Sequence, residues 1–222
     1  MTDMRYPFPK AIIFDWDNTL VDSFPVVYDA AVTAYKAFGV TPPTYEELLS
    51  CQGFSLRDSF PQIFGDKWED ARQAYLDAFE AMHLKRMKPM PDAFQMLKYA
   101  ADKVDCLCVV SNKTGRILRD EADFLNWTPF FYSIVGSFDA PADKAAPDVV
   151  IHALKGTDII DENGKLTAPV WFVGDGAVDM QCARNIGACG VYVSEKPFDE
   201  HTICVKNCTR LLDLLRSYEE CL

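Results

Sequence analysis

Six short segments of this chain are dominated by apolar residues, at 11–14, 104–110, 132–136, 170–174, 190–194 and 202–205. Val-Trp-Phe-Val at 170–173 and Val-Tyr-Val at 191–193 show no apolar–polar alternation. Strands with one wet face alternate; strands covered on both faces do not, and such strands belong to parallel sheets. Helical patterns lie between the runs, at 92–102, 114–125, 145–155, 177–187 and 209–219. Strand and helix in turn predict an α/β fold with a doubly wound parallel sheet.

Residues 22–88 interrupt that alternation. They read as helix throughout, at 24–38, 44–51, 55–64 and 67–86, with no convincing strand; Pro42-Pro43 parts the first two. A helical block placed after the first strand predicts a separate lobe. The expected division is a core of residues 1–20 and 90–222 and an all-helical insertion of residues 21–89. Its hinges fall near Leu20-Val21-Asp22 and at Lys88-Pro89-Met90-Pro91, where two prolines stiffen the chain. A longer loop follows at 156–169, in which Asn163-Gly164 suits the turn of a small hairpin.

With 222 residues, about 70% of the unfolded surface can be buried, so the core needs no staples. The net charge of −11, with no basic stripe against it, argues against a nucleic-acid backbone as partner. No stretch approaches the roughly 20 apolar residues of a membrane span, and Met1 to Lys10 has no apolar stretch of signal-peptide length. The eight cysteines include no zinc-like spacing, and they read as free thiols of a reducing, cytoplasmic setting.

The first run ends abruptly in Asp15-Trp-Asp17-Asn-Thr19. One of two carboxylates so placed can attack while the other moves protons. Run 104–110 ends in Ser111-Asn112-Lys113-Thr114, and run 170–174 in Asp175-Gly-Ala-Val-Asp179, each just before a helix. Taken singly, Ser111 reads as an N-cap and Asp179 as a first-turn acid favoured by the helix dipole. In a parallel sheet, however, the three strand ends lie on one edge, where ligands of open α/β folds bind. Asp15, Asp17, Asp175 and Asp179 then share a pocket. Two like charges ~4 Å apart cost about 4 kcal/mol at an effective dielectric near 20, so the cluster calls for a hard divalent cation, protonated carboxyls, or both.

Asp15-Trp-Asp17-Asn-Thr19, Ser111-Asn112, Lys144 and Gly174-Asp175-Gly-Ala-Val-Asp179 together resemble, in order, the motifs of the haloacid dehalogenase superfamily. Asp-Trp-Asp-Asn-Thr-Leu-Val-Asp-Ser, Ser-Asn-Lys-Thr and Ala-Pro-Asp at 146–148 are similar to its phosphoglycolate phosphatase-like branch. The resemblance implies a Rossmann-like core with a small helical cap, and a Mg²⁺-dependent phosphatase acting on a small phosphate monoester, with a phosphoglycolate-like substrate as first guess. By position, Asp15 attacks phosphorus and forms an aspartyl-phosphate, while Asp17 protonates the leaving oxygen and then activates water. Thr19 steadies the loop in the phosphate-binding set, where Ser111 and the Asn112 backbone hold phosphoryl oxygens. Lys144 neutralises nucleophile and phosphate. Asp15, the Asp17 carbonyl, Asp175 and Asp179 serve the Mg²⁺.

Two positions depart from the pattern. Proline does not follow Lys144 directly, which leaves Lys113 as a second candidate for the neutralising cation, and Gly176 stands where Ser or Thr is common. Asp17 argues for an oxygen leaving group, since relatives that cleave C–Cl or activated P–C bonds lack it. Asn18, in place of the glycine of sugar-phosphate mutases, sets a phosphatase ahead of a mutase; a nucleotidase and a non-catalytic metal-binding regulator on the same fold are the other readings. Specificity would come from the cap. In Gln52-Gly53-Phe54-Ser55-Leu56-Arg57, Arg57 is placed to meet a second anionic group of the substrate or to be solvated in a helix's first turn. Phe24, Tyr28 and Phe54 suit an apolar wall or cap packing, and His83, His152 and His201 suit packing or surface positions.

Overall fold

The computed structural model describes residues 6–50 and 55–219. From the N-terminus come β1 (Ala11–Phe14), β2 (Val21–Asp22), α1 (Phe24–Ala37), α2 (Tyr45–Ser50), α3 (Leu56–Phe64), α4 (Trp68–Glu80) and α5 (His83–Arg86). Then follow β3 (Lys88–Pro89), α6 (Ala93–Ala101), β4 (Cys106–Thr114), α7 (Gly115–Phe124), β5 (Ser133–Ser137) and α8 (Asp148–Ala153). The chain closes with β6 (Val170–Gly174), α9 (Ala177–Ile186), β7 (Cys189–Val193), β8 (Ile203–Val205) and α10 (Cys208–Glu219).

Six strands form one parallel sheet in the order β5-β4-β1-β6-β7-β8. β1 is central, and all four of its residues are fully buried, as an apolar run without alternation requires. Successive residues feed opposite layers. Ile12, Phe14, Val109 and Val173 pack under α6, α7 and α10, whereas Ala11, Ile13, Val110 and Phe172 pack under α8 and α9. The sheet is therefore doubly wound, with helices on both faces.

Register is what positions the site. Phe14 lies opposite Val109 on one side and Val173 on the other. The residues just beyond, Asp15, Val110 and Gly174, consequently lie at one level, with Ser111 and Asp175 next in line, while β4 runs on to Thr114 beside β5. A turn carries the chain away from β1: the Asn18 amide donates to the Val21 carbonyl at 2.7 Å, and Asn18 adopts φ +58°, a left-handed conformation that asparagine tolerates.

A third apolar cluster joins α1, α3 and α4. On α1, Ala30, Ala31 and Ala34 present a stripe of small, buried side chains, so α4 can bring Ala71 and Tyr75 close. Pro25 sits in the first turn of α1, where its missing amide costs nothing. Ser55 caps α3 by accepting from the Asp58 amide at 3.2 Å.

Four details differ from the sequence reading. Strand 104–110 begins at Cys106 and runs on through Thr114, so Ser111, Asn112 and Lys113 lie within β4 rather than beyond it. Helix 67–86 divides into α4 and α5, with a 3₁₀ turn at Gly65–Lys67 before it. Helix 145–155 begins only at Asp148, because Pro147 cannot lie within a helix interior. Strand also appears at both ends of the helical insertion: β2 pairs antiparallel with β3, Val21 opposite Pro89 and Asp22 opposite Lys88. Two residues are too few to show a period, and this ribbon left no apolar pattern. The Asn163-Gly164 hairpin does form. Asp161 donates its amide to Lys165 at 2.9 Å, Gly164 adopts φ +77°, and Ile160 bridges to Leu166. No helix among the described residues is long and apolar enough to cross a membrane.

Candidate active site

A cavity of about 350 Å³ opens at the carboxyl edge of β1, β4 and β6 and is roofed by α1 to α4. Its floor includes Asp15, Asp17, Ser111, Asn112, Lys144 and Asp175. The strand ends anticipated from the sequence thus converge.

Lys144 is the centre of charge. Its Nζ donates to Asp15 Oδ1 at 2.6 Å and to Asp179 Oδ1 at 2.7 Å, with all three side chains almost wholly buried. The loop that carries Lys144 is clamped by Asn112, whose side chain accepts from the Lys144 amide at 2.8 Å and donates to the Lys144 carbonyl at 3.1 Å. Asn112 therefore spends its side chain on the lysine. Asp179 is held in turn by the start of α9, where its Oδ2 accepts from the Gly176 amide at 2.9 Å. Thr19 donates to Asp175 Oδ1 at 3.2 Å, and Thr19 itself is not among the residues lining the cavity.

Oxygens of Asp15, Asp175 and Asp179 all lie within 4.8 Å of one another. Burial pushes the Asp15 carboxyl up to about 7, Lys144 opposing and Asp179 reinforcing the shift. Burial, together with the Asp15 and Asp179 charges, pushes Asp175 up to about 8. On Lys144, burial favours the neutral amine, but Asp15 and Asp179 outweigh it and hold the ammonium above its usual range. Fully ionised, three carboxylates and one ammonium leave two negative charges uncompensated. A divalent cation supplies the missing charge, and an all-oxygen donor set suits a hard ion. The Asp17 carboxylate stands outside this trio; the resemblance asks only for its backbone carbonyl.

Asp17 belongs to a second network. Lys113 Nζ lies 2.7 Å from Asp17 Oδ1, Ser23 Oγ donates to that same oxygen, and Lys113 Nζ also donates to Glu121 Oε2 at 2.7 Å. Trp16 Nε1 donates to Glu121 Oε2 at 2.7 Å, and His83 Nδ1 lies 2.9 Å from Glu121 Oε1. Burial would raise Glu121, yet Lys113 and the bonds from His83 and Trp16 hold it below its usual range. The two candidate lysines are therefore divided, Lys144 to Asp15 and Lys113 to Asp17.

Sequence reasoning passed over Glu121 and read His83 as a packing or surface residue; it is buried, against Glu121. A signal for Glu121 existed: it falls on the stripe Ile117, Leu118, Glu121, Ala122 of α7, where a lone acid in an apolar face requires a buried partner.

Arg57 is not brought to the cavity wall. It donates to the Pro141 carbonyl at 2.9 Å, lies 3.8 Å from Asp143 and stacks 5.2 Å from the Phe138 ring centroid. Phe24 lines the cavity and Tyr28 does not, while Cys51, Gln52, Gly53 and Phe54 lie outside the described residues.

The geometry has counterparts. Residues 12–193 match the haloacid dehalogenase-like hydrolase family. Phosphoglycolate phosphatase of Aquifex aeolicus is 27% identical over 182 residues, covering 80% of this chain and 81% of that protein. Phosphoglycolate phosphatase of Chromobacterium violaceum is 24% identical, covering 94% and 97%. Among solved structures, a haloacid dehalogenase-like family hydrolase from Streptococcus pneumoniae shares the fold with a TM-score of 0.74 at 24% identity, covering 95% of this chain and 98% of that one. With the family matched from β1 through β7, this chain belongs to the haloacid dehalogenase-like hydrolases, a family of enzymes.

Proposed function

We propose that the protein is a Mg²⁺-dependent phosphatase that hydrolyses a small phosphate monoester through an aspartyl-phosphate on Asp15. The observation that carries this reading is the crowding of Asp15, Asp175 and Asp179 around one lysine, a cluster whose ionised form leaves negative charge that a divalent cation would balance. Asp15 and Asp175, with Asp179 and the Asp17 carbonyl, would hold the Mg²⁺. When bound, it supplies charge neutralisation for the phosphoryl oxygens.

The chain's own residues carry the remaining chemistry. Asp15 attacks phosphorus in line with the ester oxygen, and the P–O bond to the alcohol breaks. Asp17 gives its proton to that oxygen. Its Oδ1 is occupied by Lys113 and Ser23, so proton exchange falls to Oδ2. As a carboxylate, Asp17 then takes a proton from water, which attacks the aspartyl-phosphate, releases inorganic phosphate and restores Asp15. Ser111 and the Asn112 amide orient phosphoryl oxygens, and Lys144 offsets charge on the equatorial oxygens. The names of the relatives make phosphoglycolate the reference ester.

Release of phosphate from p-nitrophenyl phosphate tests the reading. Turnover should require Mg²⁺, stop with chelator, and fall at least about 10³-fold in Asp15→Asn, the scale of losing a nucleophile. Folded protein with no Mg²⁺-dependent release from a broad panel of esters would contradict it.

A further inference from the structure

The cap half of the cavity differs in kind from its floor. Val27, Leu48, Leu56, Phe60, Leu76 and Phe79 line it, from α1, α2, α3 and α4. Among the described residues, the cations lining the cavity are Lys113 and Lys144, and both already serve acids: Asp17 and Glu121 for the first, Asp15 and Asp179 for the second. Two cap arginines, neither lining the cavity, turn elsewhere. Arg57 goes to the Pro141 carbonyl, and Arg57 and Arg72 both stack on Phe138. On the cap side of the wall the charged residue is Glu47, an acid. Residues 51–54, Cys-Gln-Gly-Phe, carry no charged side chain.

Resting on the phosphatase reading, we propose that the ester cleaved here carries an uncharged, largely apolar group, aryl or alkyl, in place of a second anion. A carboxylate entering this wall would shed water and find no cation among the described cap residues that line it, and Glu47, whose Oε2 accepts from the Thr44 amide at 2.7 Å, adds no positive charge. A ring or hydrocarbon chain would give up no hydrogen bonds to water and would bury apolar surface against Phe60 and Phe79. The volume of about 350 Å³ accommodates such a group beside the phosphate. The substrate named for the curated relatives, with its terminal carboxylate, finds no counter-charge among the described cap residues that line the cavity.

Steady-state kinetics with Mg²⁺ on benzyl phosphate, butyl phosphate, hexyl phosphate and phosphoglycolate test the proposal; all have alcohol leaving groups, so none is activated as a phenol is. Benzyl and hexyl phosphate should exceed phosphoglycolate in kcat/KM by about tenfold or more, and hexyl should exceed butyl by up to about fourfold per methylene. A cation set in the wall by Leu48→Lys should shift the benzyl-to-phosphoglycolate ratio about fivefold toward phosphoglycolate, through KM. A wild-type preference for phosphoglycolate, or an unmoved ratio in Leu48→Lys, overturns this proposal and leaves the phosphatase reading intact. Absence of phosphate release from every ester, p-nitrophenyl phosphate included, overturns both.

Discussion

Lys113 Nζ lies 2.7 Å from Asp17 Oδ1 and 2.7 Å from Glu121 Oε2, so one buried ammonium joins the proposed acid–base residue to a carboxylate on α7 that never meets the cavity floor. Burial alone would strip Lys113 of its proton; the two acids outweigh it and raise the lysine above its usual range. Glu121 is completely buried and His83 nearly so, which ties the Asp17 loop to α5 at the edge of the cap.

Removing the lysine alone should be costly. Lys113→Met strands Glu121, and breaking a buried pair in this way costs about 3–5 kcal/mol. Lys113→Met combined with Glu121→Gln should recover the part of that loss that comes from stranding Glu121, while Asp17, partly exposed and still bonded by Ser23, remains without its cation. Urea unfolding of the two single variants and the double variant closes the cycle. Additive losses would mean that the two side chains do not interact energetically.

Stability without metal should fall as pH rises from 5 to 8. Asp15 and Asp175 titrate near 7 and near 8 when folded, against an ordinary carboxyl value of 3.8. Between those limits the folded state binds more protons than the unfolded state, so the slope of unfolding free energy with pH is negative. The stabilisation is complete below the unfolded value and disappears as pH passes the folded values. Thermal melts in chelator should show Tm declining across this window, with Asp15→Asn flattening the decline. Added Mg²⁺, which takes the deprotonated carboxylates, should raise Tm more at pH 8 than at pH 5. A Tm in chelator that rises from pH 5 to 8 would contradict the assigned shifts.

Gly174 ends β6 directly beneath Asp179. A Cβ there would lie 2.4 Å from the Asp179 carboxyl carbon. Gly174→Ala should therefore push Asp179 off Lys144 and weaken Mg²⁺ activation by about 10- to 100-fold, the scale of losing an orienting partner of a metal site. Titration of activity against Mg²⁺ measures it, and an unchanged half-saturating concentration would show that Asp179 has room to move.

Arg57 bridges α3 to the 138–143 loop of the core. Arg57→Ala should change kcat for p-nitrophenyl phosphate and phosphoglycolate by the same factor, as a residue that holds the cap's position would. It should also lower stability by about 1 kcal/mol through the lost bonds to the Ala140 and Pro141 carbonyls. A KM increase confined to phosphoglycolate would place Arg57 on the substrate.

The sheet was legible because burial on both faces writes itself as an unbroken apolar run; β1 and β6 fall where those runs lie. The meeting of Asp15, Ser111 and Asp175 followed from parallel order, since register sets Phe14 opposite Val109 and Val173, although β4 itself continues to Thr114. What stayed hidden depends on neighbours distant in the chain. Lys113 and Lys144 look alike as residues, and only the Asn112 clamp and the position of Glu121 direct them to different acids. Arg57 lies in the first turn of a helix in either reading, and the 138–143 loop it reaches lies over eighty residues later. The 21–89 division has physical correlates in the separate apolar cluster of α1, α3 and α4 and in the β2–β3 ribbon.

That ribbon has an evolutionary corollary. Since Val21-Asp22 and Lys88-Pro89 run side by side, the chain departs from the α/β layer and rejoins it at adjacent points. The segment between them could therefore change in length or shape without rethreading a single strand of the six-stranded sheet.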